Sequence, residues 1–302
     1  MPKAVYSLVL LALLRASVNA AVPSSLEGMF QRLNPESLRQ PVETREVAFS
    51  THHPQGMTAV GERFFLSSVE VIDRATEQGK GHLFEMDRQG ALLRSIQLGE
   101  GALYHPGGID YDGARIWVPV AAYRPDSAAI VYTVNPATME SREMFRFDDH
   151  LGALSHFPEQ GLLIGVNWGS RRFYRWKTEQ RGGEWIVPDP AHPETQPNGN
   201  HYIDYQDMQR IPGTPYVVCA GLQTYVEEGE NLPYFKLGGM DLVHIDDLRA
   251  HHQVPMPVRQ AGIRAWTQNP FFVEPWGQGL RFFFIPDDNI STIYVFDVNI
   301  TT

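Results

Sequence analysis

From residue 21 onward the chain carries short apolar runs in which hydrophobic and polar positions alternate, separated by turns rich in Gly, Pro, Asn and Asp. Alternation with a period of two is typical of β-strands, whereas an amphipathic helix repeats its apolar positions every three to four residues. Residues 25–38 are the one stretch with a helical period of any length. The pattern therefore predicts an all-β protein.

The strand runs also recur as a larger unit. In each copy a polar turn leads into a strand, a turn, an aromatic-rich strand, a variable loop, and a strand ending at an Asp or Asn turn. Five copies align, starting near residues 52, 105, 149, 203 and 267. Their spacing of roughly 45 to 63 residues fits a four-stranded propeller blade with loop insertions. We therefore predict a β-propeller of five blades, or of six if residues 184–200 form another.

The two ends of the repeat region complement each other. The fifth copy stops after its third strand, and residues 43–50 (ETREVAFS) form an extra strand run ahead of the first copy. We expect this N-terminal strand to close the ring by completing the last blade, which removes free sheet edges. A large β-sandwich would not explain why a strand run precedes the first copy while the fifth copy lacks its last strand. The predicted propeller domain covers residues 43–302, preceded by an N-terminal segment at 21–42.

Residues 1–20 have the features of a secretory signal peptide. Lys3 supplies the positive start, residues 4–14 the apolar stretch, and Val18-Asn19-Ala20 a small-residue cleavage site. An apolar stretch this short does not cross a bilayer about 30 Å thick. We expect a secreted or vesicular protein without stable membrane insertion. Asn-x-Ser/Thr sequons make Asn289 and Asn299 candidate glycosylation sites.

Composition narrows the classes of partner. With 43% hydrophobic and 20% charged residues, the chain can bury a large core. Its formal net charge of −10 argues against a nucleic-acid partner, which would require clustered Lys and Arg. Cys219 is the only cysteine, which excludes internal disulfides and Cys-based metal centres. It lies in the apolar run PYVVCAGL, so a buried, inert thiol is expected.

Propeller geometry predicts where a site lies. Loops that enter the first strand of a blade and loops that link its second and third strands emerge on the same face. These loops bring titratable and aromatic residues from several copies to one mouth, and histidine recurs in three of them. Polar caps on strand ends are the simpler explanation for any one of these residues. The candidate catalytic residues are His53, His105, His150, Arg124 and Arg171. The candidate substrate-binding residues are Tyr123, Trp168, Tyr202, Asp204 and Gln268.

Three common chemistries fit this set poorly. A metal-dependent lactonase on a propeller would use oxygen ligands around a hard cation, whereas the strand-entering positions favour histidine. A Gly-x-Ser-x-Gly elbow is absent from the sequence, as are a dinucleotide-binding fingerprint and a haem-attachment Cys pair. Neutral histidines, acids and arginines can instead protonate a leaving hydroxyl, bind a developing oxyanion and align two substrates. We predict no metal and no cofactor for this mouth.

Four segments carry a family resemblance: HPGGIDYDG, WVPVAAYRP, DDHLGALSH and GVNWGSRRFYRW. From about residue 43 to 302 the chain resembles a fungal and bacterial family, mostly of unassigned function, whose members are predicted β-propellers. It departs mildly from the commoner pattern at Leu151, where Ile or Val is usual, and at Asn167, where Ser is usual. Members with an assigned role are hetero-Diels–Alderases of fungal tropolonic sesquiterpene biosynthesis.

The resemblance implies a cofactor-independent pericyclase. Its substrates would be a tropolone ortho-quinone methide, formed by loss of water, and a humulene-type sesquiterpene. The tropolone would stack on Trp168 or Tyr123 and accept hydrogen bonds from Arg124 or Arg171, while a histidine assists dehydration. The terpene would need apolar channel walls. A metal-dependent lactonase or esterase and a non-catalytic binding propeller remain the alternatives.

Overall fold

Five antiparallel sheets surround a central axis in the computed structural model, which describes residues 25–200, 202–226, 233–256 and 264–300. Four of these sheets run outward from an innermost strand through four strands each, and the second has five strands because its innermost strand is divided in two. The predicted all-β propeller is confirmed, and the number of blades is five. The predicted signal peptide at 1–20 lies outside the described residues.

The strands are numbered along the chain, and β1 spans Glu43–Glu46. The first blade contains β2 to β5, at His53–Val60, Arg63–Asp73, Gln78–Asp87 and Leu92–Leu98. The second contains β6 to β10, at Leu103–Pro106, Asp110–Tyr111, Ile116–Ala122, Ala129–Val134 and Ser141–Phe147. The third contains β11, β12, β13 and β16, at Ala153–Phe157, Leu162–Val166, Arg172–Lys177 and Glu194–Pro197. A hairpin of β14 at Glu179–Arg181 and β15 at Glu184–Ile186 is inserted between β13 and β16.

The fourth blade contains β17 to β20, at Asp204–Arg210, Tyr216–Val226, Pro233–His244 and Arg249–Met256. The fifth contains β21 to β23 and is completed by β1, with β21 to β23 at Phe271–Trp276, Gly279–Phe284 and Thr292–Asn299. β1 pairs antiparallel with β23, so the predicted closure by an N-terminal strand is confirmed. Residues 184–200 supply β15 and the outer strand β16 of the third blade rather than a sixth blade.

The N-terminal segment is less helical than its pattern predicts. Helix α1 covers Leu26–Phe30 only, begins at the Ser25 cap, and ends before the Asn34-Pro35 pair, which disfavours helical backbone. The buried Phe30 belongs to a core cluster that includes residues of the fourth and fifth blades, such as Met256 and Phe284. None of the helices in the described part of the chain has the length and apolar character needed to cross a bilayer.

Asp207 closes the axis of the ring below the mouth. Its fully buried carboxylate accepts four backbone N–H groups: Oδ1 from Ile109 at 3.1 Å and Met208 at 3.0 Å, Oδ2 from Met57 at 2.9 Å and Phe271 at 3.3 Å. Burial raises the pKa of Asp207, and these donors oppose the rise. One side chain of β17 thus ties together the innermost strands of the first, second, fourth and fifth blades.

Glycines let these innermost strands approach closely. A Cβ on Gly108 would lie 2.7 Å from both the Ala153 Cβ and the Asp207 Cα, and one on Gly107 would lie 2.2 Å from the Gly152 carbonyl oxygen. Real Cβ atoms do not approach other atoms so closely. The two glycines that follow His105 therefore divide the inner strand into β6 and β7 and pack backbone against backbone at the axis.

Other polar residues of the quoted motifs have structural partners. Asp112, in the YDG turn, accepts hydrogen bonds from the indole of Trp117 at 2.8 Å and from the imidazole of His156 at 2.7 Å. His156 is fully buried in the third blade and also lies 3.1 Å from the hydroxyl of Thr178. The Asp112 to His156 contact therefore joins the second blade to the third, and neither residue lies at the mouth.

Candidate functional site

A cavity of about 230 Å³ opens at the mouth, above the closed axis. Loops that enter innermost strands and loops that link second and third strands both contribute to it, as the propeller geometry predicts. Its lining comprises His53, Gln55, Arg74, His105, Tyr123, His150, Gly152, Asn167, Trp168, Gly169, Asp204, Tyr205 and Gln206. Three imidazoles, two tyrosine rings and one indole thus line one small cavity.

His105 lines the inner cavity and is almost fully buried. Only 5% of the residue is exposed, and its Nδ1 has no hydrogen-bond partner among the described residues. The ring stacks on Tyr123 at a centroid distance of 4.1 Å and lies 5.6 Å from the ring of His150. Burial, followed by the nearby His150, His53 and Arg74, lowers the pKa of His105 well below its usual range. It is therefore a neutral imidazole at neutral pH.

His150 is held in one tautomer. Its Nδ1 lies 3.0 Å from the carbonyl oxygen of Ala122, and because a carbonyl oxygen only accepts, Nδ1 carries the proton. Burial lowers the pKa of His150 to about 4, although the hydrogen bond to Ala122 opposes the shift. The ring meets Trp168 edge to face at 4.8 Å. Nε2 is therefore the basic nitrogen of a neutral, fixed imidazole.

His53 is oriented from the fifth blade. Its Nδ1 lies 2.7 Å from Oδ1 of Asp288, which also accepts the side-chain amide of Asn269 at 3.2 Å. Burial opposes ionisation of Asp288, but the contacts with His53 and Asn269 prevail and lower its pKa. An ionised Asp288 thus positions the His53 ring at the cavity edge through a contact between the first blade and the last.

Tyr123, Trp168 and Arg74 form one wall of the cavity. The ring centroids of Tyr123 and Trp168 are 6.0 Å apart, and the guanidinium carbon of Arg74 lies 4.1 Å from the Tyr123 ring centroid. Stacking of this kind holds a cation over an aromatic face. Burial raises the pKa of Tyr123, opposed by the charge of Arg74. The wall therefore presents a positive charge and two aromatic surfaces.

The other side of this wall borders a second depression. This outer groove measures about 480 Å³, and its lining comprises Arg74, Ala75, Glu77, Tyr104, Tyr123, Arg124, Pro125 and Trp168. Three of these side chains are those of the wall. The mouth thus has two adjoining compartments, an inner one with three imidazoles and an outer one without any.

The structure gathers six of the ten predicted site residues in the inner cavity, namely His53, His105, His150, Tyr123, Trp168 and Asp204. Arg171 stands behind Asp204, with its guanidinium 2.5 Å from Oδ1 of that residue. Arg124 lines the outer groove and pairs with Glu77 at 2.7 Å. These two arginines, Arg171 and Arg124, therefore contribute to the rim and the groove rather than to the inner cavity.

Tyr202 and Gln268 lie away from the cavity. The hydroxyl of Tyr202 donates to Asp241 at 2.6 Å inside the fourth blade, and its ring packs over Gly239. The side chain of Gln268 accepts from Lys236 at 3.4 Å on the short turn Trp266–Gln268. A direct role in binding a ligand within the inner cavity does not fit these positions.

Seven cavity residues were not among the candidates: the polar residues Arg74, Gln55, Asn167 and Gln206, together with Gly152, Gly169 and Tyr205. Arg74 follows β3 in a loop equivalent to those of Arg124 and Arg171, so loop position alone selects it as strongly as them. Gln55 and Gln206 stand within innermost strands, where the pattern does not distinguish the residue facing the mouth from those facing the axis. Their amides add donors and acceptors to the cavity.

Protonation of His150 should destabilise the fold. An unfolded histidine binds its proton near pH 6.5, whereas the folded one binds it near pH 4. The contribution of the neutral His150 to folding stability is therefore fully present above pH 6.5 and is lost as the pH falls towards 4. From pH 7 to pH 4 we expect the unfolding free energy of wild type to fall by about 3 kcal/mol more than that of His150→Asn.

Urea unfolding of both proteins across this pH range measures the difference, and other titrating groups contribute equally to both. Asn retains an N–H donor for the Ala122 carbonyl. A difference that stays constant with pH would show that His150 titrates normally in the folded protein.

Three further sequence predictions concern single residues. Cys219 is fully buried and burial raises its pKa, which confirms the expected inert thiol. Asn289 and Asn299 are exposed, at the turn before β23 and at its end, where a glycan is sterically acceptable. Glycosylation itself stays a prediction.

Comparison with known proteins identifies the family and the fold. A family of unknown function, DUF6454, matches residues 11–302, so the chain belongs to that family. No curated protein matches it. A hypothetical protein from Leishmania major has a similar structure, with a TM-score of 0.52 and 10% identity over 86% of this chain and 91% of that one.

A GH43 endo-arabinanase from Bacillus licheniformis gives a TM-score of 0.48 and 8% identity over 83% of this chain and 94% of its own. A mannose phosphorylase from Leishmania mexicana gives a TM-score of 0.47 and 9% identity over 86% of this chain and 89% of its own. At these identities the similarities describe the fold alone.

Proposed function

We propose that this member of DUF6454 is a cofactor-independent hetero-Diels–Alderase that joins a tropolone ortho-quinone methide to a humulene-type sesquiterpene. The observation that carries the proposal is the pair of adjoining compartments separated by Arg74, Tyr123 and Trp168. A reaction between one polar ring and one apolar alkene requires two such places side by side. The motifs that carry the family resemblance contribute Tyr123 and Trp168 to the shared wall.

The inner cavity suits the tropolone. Its volume of about 230 Å³ is smaller than the roughly 300 to 1,000 Å³ of sites for drug-sized ligands, so it accommodates one small ring rather than both substrates. Trp168 offers a face for stacking with an electron-poor ring, whereas the ring of Tyr123 is already covered by His105 and Arg74. Arg74 offers a positive charge to its oxygens, and a charge-assisted hydrogen bond is about twice as strong as a neutral one.

Dehydration generates the reactive diene. The ring hydroxyl of a hydroxymethyl tropolone gives its proton to Nε2 of His150, and the bond from the side-chain carbon to its hydroxyl breaks. The departing hydroxide takes that proton back from the His150 imidazolium and leaves as water, so that one water is lost, the imidazole is neutral again and an ortho-quinone methide remains. Burial keeps His150 neutral and therefore able to accept that proton. General acid–base assistance of this kind contributes about 10²- to 10⁴-fold in rate.

The cycloaddition needs orientation and polarisation but no proton. One carbon–carbon bond and one carbon–oxygen bond form between the quinone methide and the alkene, and no atom is lost. A cation at the carbonyl oxygen of the diene stabilises the charge that develops there, which is a role for Arg74. Holding both reactants in register supplies up to about 7 to 11 kcal/mol of the barrier.

The terpene would lie in the outer groove. Apolar walls along a central channel were the expected position, but Asp207 and the glycines beside it close the axis. Tyr104, Pro125, Trp168 and Tyr123 provide carbon surface on the outer side of the wall. In this arrangement Arg124 acts at the rim of the terpene site.

Incubation of the purified protein with a hydroxymethyl tropolone and humulenol tests the proposal. We expect one stereodefined adduct, formed faster than the background reaction, as resolved by chiral chromatography. Only the racemic background adduct would overturn the proposal. A binding propeller would show saturable association with the tropolone by calorimetry without any rate enhancement.

A further inference from the structure

His52 and His53 are neighbours in sequence but face different surroundings. His53 contacts Asp288 at the cavity, whereas the ring of His52 stacks on His82 of β4 at a centroid distance of 5.0 Å. The backbone of His52 has a positive φ of 54°, which is uncommon for a residue other than glycine. Its carbonyl oxygen accepts the N–H of Asn289 at 2.6 Å. This backbone conformation turns the two adjacent side chains towards separate sites.

Glu70 of β3 completes a group of three potential ligands. One carboxylate oxygen lies 3.1 Å from Nε2 of His82, and one ligand atom from each of His52, Glu70 and His82 lies within 4.8 Å of the other two. All three residues are half-buried, so an ion from solvent can reach them. None of the three lines the mouth cavity.

We propose that His52, Glu70 and His82 bind a divalent transition metal ion, with Zn²⁺ as the best-suited ion. Two imidazoles and one carboxylate favour Zn²⁺, Cu²⁺ or Ni²⁺ over Mg²⁺ and Ca²⁺, which take oxygen ligands. Three protein ligands around a tetrahedral ion leave the fourth position to water. The site is independent of the proposed reaction, because it uses none of the residues assigned to it.

Binding requires two small rearrangements. The ring planes of His52 and His82 are inclined by 15°, so one ring must rotate to direct its nitrogen at the same ion as the other. His52 precedes β2 and is outside the strand ladder, which makes it the ring that turns. Lys80 lies 3.5 Å from Glu70, and because its side chain is 45% exposed, it can move into solvent as the ion arrives.

The ion would connect the loop before β2 to β3 and β4. His82 and Phe84 lie on the same face of β4 and stack at 5.2 Å, and Phe84 belongs to the core cluster shared with the fifth blade. A metal at this position would therefore crosslink the mouth side of the first blade, next to the contact between the first and fifth blades where the ring closes.

Calorimetric titration of the tag-free, EDTA-treated full chain with ZnCl₂ tests the site. We expect one equivalent to bind, with an affinity at least about tenfold lower in His82→Ala and in Glu70→Gln. His52→Asn should weaken it similarly, and Asn tolerates the positive φ. Electron paramagnetic resonance of the Cu²⁺-loaded protein should show two nitrogen ligands in wild type and one in His82→Ala.

The chain offers a matched control. His244 and His251 also stack at 5.0 Å, beside Asp247, on the exposed surface of the fourth blade. His251→Ala should leave the Zn²⁺ affinity unchanged. Absence of binding, or binding lost in His251→Ala but kept in His82→Ala, would overturn the proposal. Thermal unfolding of each variant in EDTA establishes that it is folded, and neither readout depends on adduct formation.

Discussion

Replacing Asp207 by Asn is expected to destabilise the protein by about 2 to 6 kcal/mol, because two backbone N–H donors lose their acceptor at a cost of about 1 to 3 kcal/mol each. Both oxygens of Asp207 accept two backbone N–H groups apiece, and whichever oxygen becomes an amide nitrogen then faces donors that cannot turn away. Since a domain is stable by about 5 to 15 kcal/mol, this is a large fraction of the total. Chemical denaturation of the two proteins measures it.

Asp241→Asn provides the control. Asp241 is also buried, but all of its donors are side chains that can reorient. The hydroxyls of Tyr202 and Tyr205 can rotate to accept a bond from an amide, and the side-chain amides of Asn200 and Gln253 can turn over to present their oxygens. We expect a clearly smaller loss there. Equal losses in the two variants would mean that burial of a carboxylate, rather than its four fixed backbone donors, determines the effect.

The largest expected effect on the proposed reaction is a fall of about 100-fold or more in the rate of dehydration and adduct formation in His150→Asn. Asn keeps a donor for the carbonyl of Ala122 but removes Nε2, the nitrogen that accepts the proton. Turnover should fall more than substrate affinity, since the proposed contacts of the tropolone with Trp168 and Arg74 are unchanged in this variant. Steady-state kinetics with hydroxymethyl tropolone and humulenol separates the two quantities.

A substrate supplied as a preformed quinone methide should restore most of the rate in His150→Asn, because the cycloaddition itself needs no proton transfer. Gln268→Ala serves as the control, since Gln268 lies outside the inner cavity and contacts Lys236. If His150→Asn retains the full rate with the hydroxymethyl substrate, His150 is not the base.

The sequence predicts this architecture well because repetition makes each strand run visible several times. The aromatic-rich second strands, the missing fourth strand of the last copy and the strand run at 43–50 together identify the blades and their closure. The same repeat places His105 and Tyr123 on one face, and in the structure their rings stack at 4.1 Å. Position within a repeat thus predicts which loops meet.

The repeat pattern does not predict the direction in which an individual side chain points. Tyr202 precedes an innermost strand, while His53 begins its strand and His105 lies within its own, yet the hydroxyl of Tyr202 turns to Asp241 within the fourth blade. His52 and His53 diverge because of one positive φ, which the residue types do not reveal. Asp207 resembles an ordinary polar position in YQDMQR, since three of its four donors come from segments far away in sequence. Assembly of the ring, rather than local pattern, determines these roles.

Closure of the fifth blade also bears on how the protein folds. Glu43 pairs with Val295, about 250 residues later, so the last blade cannot be completed until both ends of the ring have been synthesised. Until then the outer edge of β23 has no partner, and an open edge is a surface on which other chains can assemble. The folding rate and the yield of monomer should therefore depend on the four residues of β1 more than their small share of the core suggests.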